Sequence, residues 1–247
     1  MTRTPASVVL AYEQVGFAAT ETGHLRLHGW WIPAAENAPF ARLTVLYLHG
    51  ATGNLGNTVE ALARLHATGV NVFAFDYRGY GKSQFAHPSE ANWRQDADWA
   101  LDYLTGTRHI DSHAIVLDGE GLGADLALGV AAGHPHLGGV VLESPIENPV
   151  SVIFNDARAH LVPARLLVHD RYDIDAAAAA LLVPSLWILP ASVGAARNAP
   201  TSYIQDPAPK QLVYLPAETD AGPSGTDAGK IFADALTHWL ASLSLSK

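Results

Sequence analysis

Six short, almost unbroken apolar runs set the tightest limit on what this chain can fold into: Leu43–Leu48, Val70–Phe75, Ala114–Leu117, Val140–Leu142, Leu186–Leu189 and Leu212–Leu215. A strand with one face in water alternates apolar and polar residues. A strand covered on both faces reads as continuous apolar sequence, which is the habit of a parallel sheet packed between helices. Segments of helical period separate the runs. Ser89 is placed to cap a helix in which Trp93, Ala97, Ala100, Leu101 and Leu104 recur on one side, and Ile231, Ala235, Trp239 and Leu240 mark a closing helix. The alternation predicts an α/β fold, a mostly parallel central sheet with helices on both faces. An antiparallel pair precedes it, Phe17–Thr20 with Leu25–Ile32, joined at Glu21-Thr22-Gly23 and with Leu25, Leu27 and Trp31 sharing a period of two.

A chain of 247 residues with 49% apolar and 16% charged content is expected to form one domain, residues 1–247. From Pro145 to Leu182 no clear strand occurs, and this stretch is expected to form a small helical cap inserted over the strand ends. The net charge of −9 and only 15 Lys and Arg residues argue against a nucleic-acid or anionic-membrane surface. The opening segment lacks the pattern of a signal peptide, and no apolar run approaches the ~18 residues that span a bilayer, so a cytoplasmic protein is expected. Cysteine is absent, which removes thiol nucleophiles and thiolate metal sites.

The segment Val116–Leu126, VLDGEGLGADL, reads as a strand that passes into a helix through a Gly-X-Gly-X-Gly turn. Together with GHLRLHGWWIP (Gly23–Pro33), LYLHGATGNLGN (Leu46–Asn57), FDYRGYGKS (Phe75–Ser83), VVLESPIEN (Val140–Asn148) and HDRYD (His169–Asp173), it resembles the α/β-hydrolase superfamily, in particular its Bem46-like branch. The resemblance covers nearly the whole chain. It implies the α/β-hydrolase fold, with His49-Gly50-Ala51 as an oxyanion loop and the amides of Ala51 and Leu122 as the two oxyanion donors. Asp76, Arg78, Gly79, Tyr80 and Gly81 are read as loop buttresses without chemistry.

Acyl transfer on such a fold needs a nucleophilic hydroxyl, a histidine to take its proton and a carboxylate to orient the histidine. All three seats are changed by this alignment. Gly121 stands where the serine would be, Gly194 where the acid would be, and Asp220 in the histidine seat. No histidine lies between His169 and His238. The glycine itself has a physical rationale, because the elbow backbone is strained for any other residue.

The expected protein is therefore a catalytically degraded hydrolase-fold chain. It keeps a pocket for a small neutral or acyl-type ligand, or binds a protein partner or a second copy, with no cofactor and no metal. Glu120 and Asp118 beside the elbow disfavour an anion. The alternative is an active serine-type esterase with a relocated or atypical site, with Ser83, Ser144 or Ser192 as nucleophile, or with Asp118 and Glu120 as an acid and base gathered at the ligand edge of the sheet. Trp30, Trp31, Trp187 and Tyr203 are either core residues or a partner surface.

Overall fold

The computed structural model describes residues 3–18, 25–50, 53–87, 89–146, 173–191, 199–216 and 227–244. Eight strands, β1 (Glu13–Ala18), β2 (Arg26–Ile32), β3 (Thr44–Leu48), β4 (Asn71–Asp76), β5 (Ile115–Glu120), β6 (Gly139–Glu143), β7 (Ser185–Pro190) and β8 (Lys210–Leu215), form one sheet in the order β1-β2-β4-β3-β5-β6-β7-β8. Only β2 runs against its neighbours, pairing antiparallel with β1 and β4, while the remaining pairs are parallel.

The helices are α1 (Val59–His66), α2 (Glu90–Asp102), α3 (Leu122–Gly133), α4 (Ile174–Ala179), α5 (Thr201–Gln205) and α6 (Asp227–Ser244). Strand parity sorts the core into two layers. Val45, Tyr47, Val116, Val141, Leu186 and Ile188 pack with Val59, Leu62 and Leu65 of α1 and with Phe232, Leu236, Trp239 and Leu240 of α6. The alternate positions Leu46, Leu48, Leu117, Val140, Leu142 and Trp187 pack on the opposite face with α2, α3 and α4. Strands β3 to β7 are thus apolar on both sides, which is why their five runs were continuous, while the sixth run, β8, lies at the sheet edge and is half-buried.

Strand ends depart from the apolar runs because backbone pairing, not hydrophobicity, sets them. Strand β5 continues through Asp118 to Glu120, in register with Val141 and Glu143 of β6. Strand β1 begins at Glu13, opposite Trp31 and before its expected start at Phe17; Ala19, Thr20 and the turn at Glu21-Thr22-Gly23 lie outside the described residues.

Ser89 caps α2 as expected, its hydroxyl accepting the Asn92 amide at 3.2 Å. In α6 the expected stripe holds at Trp239 and Leu240, which are buried, but in its first turns Phe232 and Leu236 face the core in place of Ala235 and Ile231, the latter 37% exposed. Ala228, Phe232, Leu236 and Trp239 follow one side of the helix at 4-4-3 spacing, and Ile231 lies at the flank of that side.

The expected cap divides. Residues 147–172 lie outside the described residues, but α4 is the crossover helix that a parallel β6–β7 pair requires, with Ile174, Ala178 and Leu181 inside the core against α3. Trp30 and Trp187 are core residues, and the Trp187 indole donates to Ser185 Oγ at 2.9 Å and to Asp206 Oδ2 at 3.1 Å. Trp31 and Tyr203 are partly buried against the same core.

The α6 register is testable. Phe232→Ala is expected to lower unfolding free energy by about 3–5 kcal/mol in urea titration, and Ile231→Ala by no more than about 0.5 kcal/mol.

Candidate functional site

The elbow between β5 and α3 is built from three glycines that serve two different needs. A Cβ on Gly119 would stand 2.2 Å from Gly123 O, and one on Gly123 would stand 2.1 Å from Leu48 O. Both must be glycine so that the first turn of α3 can lie directly on β5 and β3. Gly121 is under no such crowding, since its nearest neighbour would be Ile146 Cδ1 at 3.9 Å. Its constraint is the backbone, at φ 58° and ψ −123°.

The turn is closed from both sides. Gly121 N donates to Glu143 O at 2.9 Å, and Gly121 O accepts from Ala124 N at 3.0 Å. The seat thus has the strained geometry of a nucleophile elbow, and among the described residues Ile146 is the nearest side chain to where a Cβ would stand. Beside it, the Leu122 amide opens α3 and has no carbonyl a turn earlier in the helix to receive it.

The oxyanion side is half visible. His49 ends the β3 side of the site as a buried ring packed on Tyr77 and Tyr80, with centroids at 4.4 and 5.5 Å. Burial lowers its proton affinity, outweighing the hydrogen bond to Gly50 O and the charge of Asp76, so the imidazole is neutral at neutral pH. Its Nδ1–H then donates to Gly50 O at 2.7 Å, while Nε2 has no partner among the described residues. Gly50 lies close to the elbow, where its Cβ would be 3.4 Å from Glu120 O. Ala51, Gly194 and Asp220 lie outside the described residues.

Asp118 and Glu120 are not brought together as an acid and base. Glu120 is exposed at the strand end. Asp118 has no exposed surface and faces the α1 and α6 layer, behind the sheet. There it joins Glu143, whose carboxylate takes Arg64 at 2.6 and 2.9 Å while the guanidinium lies 3.9 Å over the Phe232 ring. Burial pushes Asp118 well above the carboxylate range, with the charge of Glu143 adding to it, so Asp118 holds its proton. Burial also raises Glu143, although Arg64 opposes the shift. This cluster is a structural ion site under the sheet.

The relocated-serine candidates separate in the same way. Ser83 donates to Asp76 O and accepts from His28 N at 2.9 Å, so its hydroxyl is engaged in holding a loop. Ser144 is exposed at φ 50°, and its amide donates to Ile188 O at 2.8 Å. Ser192 lies outside the described residues. The buttress residues behave as read: Asp76 accepts from Leu55 N at 2.9 Å and Lys82 N at 3.2 Å, and Arg78 grips Asp96 through its backbone N at 2.8 Å and Nε at 2.7 Å.

The residue that sequence reasoning missed is Asp125. It sits one helical turn beyond Gly121, a spacing that returns a side chain to the same side of a helix and was legible in the sequence. Its Oδ1 accepts Ile146 N at 2.9 Å, and its Oδ2 is buried with no partner among the described residues. This bond fixes the residue whose side chain roofs the empty seat. Burial pushes the carboxyl up to about 7, against the Ile146 hydrogen bond and with help from Glu90. Among the described residues no group of three or more His, Cys, Asp or Glu can hold a metal ion.

An eight-stranded, doubly wound sheet with a strained strand-to-helix elbow at the end of its central strand is the frame of an α/β hydrolase. The family described as serine aminopeptidase, S33, matches residues 40–208. An uncharacterised protein of Mycobacterium tuberculosis, Rv2307c, is 30% identical over 242 residues, covering 95% of this chain and 82% of that protein. Protein bem46 of Schizosaccharomyces pombe is 31% identical over 144 residues, covering 57% of this chain and 46% of its own. Among solved structures, the Pyrococcus furiosus esterase Pf2001 superposes with a TM-score of 0.72 at 21% identity, covering 97% of this chain and 95% of that one. The chain belongs to the α/β-hydrolase superfamily, in its Bem46-like branch.

The state of Asp125 has a pH signature. A carboxyl raised in the folded state contributes stability that is full below the ordinary carboxylate range and is lost as pH rises through about 7. Asp125→Asn abolishes that titration. Between about pH 5 and 8 the variant is expected to lose on the order of 2 kcal/mol less stability than the parent, read from urea unfolding at each pH.

Proposed function

We propose that this protein is a catalytically silent member of its superfamily that binds a small neutral carbonyl or acyl compound at the elbow. One observation carries the reading: the strained seat is occupied by Gly121, and among the described residues the nearest atom to where a Cβ would stand is Ile146 Cδ1 at 3.9 Å. The Leu122 amide and the positive end of α3 remain beside that position and favour a carbonyl oxygen. Exposed Glu120 at the same turn opposes a fully charged anion. The changed acid and histidine seats, Gly194 and Asp220, support loss of the proton relay. No helix among the described residues is long and apolar enough to cross a membrane, in keeping with a cytoplasmic location. A protein partner or a second copy remains a further occupant of this role.

A second reading is favoured by Asp125. Its carboxyl titrates near neutrality one helical turn from the seat, and its Oδ2 has no hydrogen-bond partner among the described residues, properties that suit a general base for a bound water. On that reading the protein is an atypical ester hydrolase that uses water directly.

Intact-mass analysis after incubation with a reactive fluorophosphonate separates these from a hidden serine nucleophile. No adduct is expected, and a stoichiometric adduct overturns both readings. Hydrolysis of activated esters that disappears in Asp125→Asn would favour the second reading over the first. Gly121→Ser is expected to lower stability by about 1–3 kcal/mol, measured in urea, without creating turnover of activated esters.

A further inference from the structure

The seat at Gly121 has a roof, and the roof has a fastening. A Cβ on Gly121 would meet Ile146 Cδ1 at 3.9 Å, ordinary van der Waals contact, so the isoleucine side chain covers the position where an elbow side chain would stand. The chain that carries Ile146 is pinned as far as Ser144: Gly121 N donates to Glu143 O at 2.9 Å, and Ser144 N donates to Ile188 O at 2.8 Å. Ser144 sits at φ 50°, a left-handed conformation that strains a non-glycine residue, at the point where the chain leaves β6. Beyond that bend, Ile146 N donates to Asp125 Oδ1 at 2.9 Å. The roof thus lies between a strained pivot and a bond to one side chain.

The group that makes this bond is poorly placed to be charged. Asp125 is 4% exposed, and its Oδ2 has no hydrogen-bond partner among the described residues. The elements packed on α3 bring it no cation in contact. On α2, Glu90 adds its negative charge, and Arg94 is engaged by Glu90 at 3.2 Å and by Gly129 O at 3.0 Å. Further along α2, Asp96 is gripped by Arg78, Asp98 lies 3.7 Å from His134, and Asp102 is exposed. On α4, Ile174 and Ala178 face the core, while Asp175 is exposed. At the strand ends His49 is neutral, Glu120 is exposed, and Asp118 and Glu143 lie on the far side of the sheet.

Covered in this way, the carboxyl keeps its proton up to about 7, with burial as the main cause and the Ile146 hydrogen bond acting against it. Once water reaches it, the same carboxyl ionises in the ordinary range, at about 4. Between those two values the closed form holds one proton more than the open form. Raising the pH therefore favours opening, and above about 7 the effect is complete.

We propose that Asp125 and Ile146 form a proton-controlled latch over the Gly121 seat: the protonated carboxyl keeps the isoleucine roof closed, and loss of the proton favours an open seat that a ligand can enter. The latch adds regulation to the elbow site proposed above and takes its meaning from that site. It is tested without a ligand, so the two can fail separately.

The measurement is amide hydrogen exchange of Ile146, followed by NMR between about pH 5 and 7 and corrected for the intrinsic pH dependence of exchange. Protection is expected to fall at least about tenfold over that range, because breaking the bond to Asp125 is the opening event. The Leu117 amide, within β5, reports global unfolding and is expected to stay more protected than Ile146 by at least about a hundredfold. In Asp125→Asn the side-chain oxygen still accepts Ile146 N but no proton titrates, and the fall in Ile146 protection is expected to vanish. The proposal is overturned if Ile146 protection is constant between about pH 5 and 7, if it matches that of Leu117, or if Asp125→Asn keeps the parent's pH dependence. Should that variant fail to fold, the Asp125 carboxyl carbon is followed against pH in the parent protein. A midpoint of about 7, where the fall in protection levels off, supports the latch, and one in the ordinary carboxylate range overturns it.

Discussion

The carboxyl edge of the sheet depends on how closely the first turn of α3 can approach β5 and β3. With a Cβ on Gly119 or Gly123 the helix would be pushed off backbone atoms that now lie about 2 Å from where that carbon would stand. Everything else at the elbow follows from that contact. Gly121 is forced into its turn because strand and helix meet without a connecting loop, and the Leu122 amide is left pointing past the strand end. The bonds from Gly121 to Glu143 and from Ile146 to Asp125 then fix β6 and its outgoing segment to the same helix. A frame so tightly closed holds its shape with no side chain at Gly121.

The two layers and the sheet were legible in the sequence because burial on both faces leaves runs with no polar interruption. The α2 cap at Ser89 was legible because a side-chain oxygen three residues before an amide is a local device. The α6 stripe was misread by one position because Ile231 is apolar and neighbours Phe232, and periodicity alone cannot say which of two adjacent apolar residues faces the core. Charge partners were least legible. Asp118, Glu143 and Arg64 come from β5, β6 and α1, and only the tertiary register shows that Asp118, read as an edge residue, is closed beneath the sheet beside Glu143. Asp125 was hidden for a different reason: nothing in its spacing tells that Ile146, 21 residues away, will seal it from water.

The buried carboxyls divide into two kinds by what neutralises them. Glu143 has a guanidinium in contact, and Asp118 next to it holds a proton, so the cluster carries little net charge behind the sheet. Among the described residues Asp125 has no cation in contact, only an amide, and its charge is therefore sensitive to the water that reaches it. Under the sheet the protein has fixed its electrostatics, while at the elbow it has left one group poised. That contrast is what makes a chemical role at the elbow worth testing with glycine at position 121.

The backbone of Gly121 also has a handedness. Its angles, 58° and −123°, are the mirror image of the extended, polyproline-like well that L-residues occupy freely. They match the first central position of a type II′ turn, where positive φ is required. The elbow is thus a site of inverted chirality in an otherwise ordinary L-chain, strained for L-serine and relaxed for D-serine. A chain that keeps serine there does so against the preference of its own stereochemistry, and one that has changed to glycine, the single achiral residue, no longer takes a side.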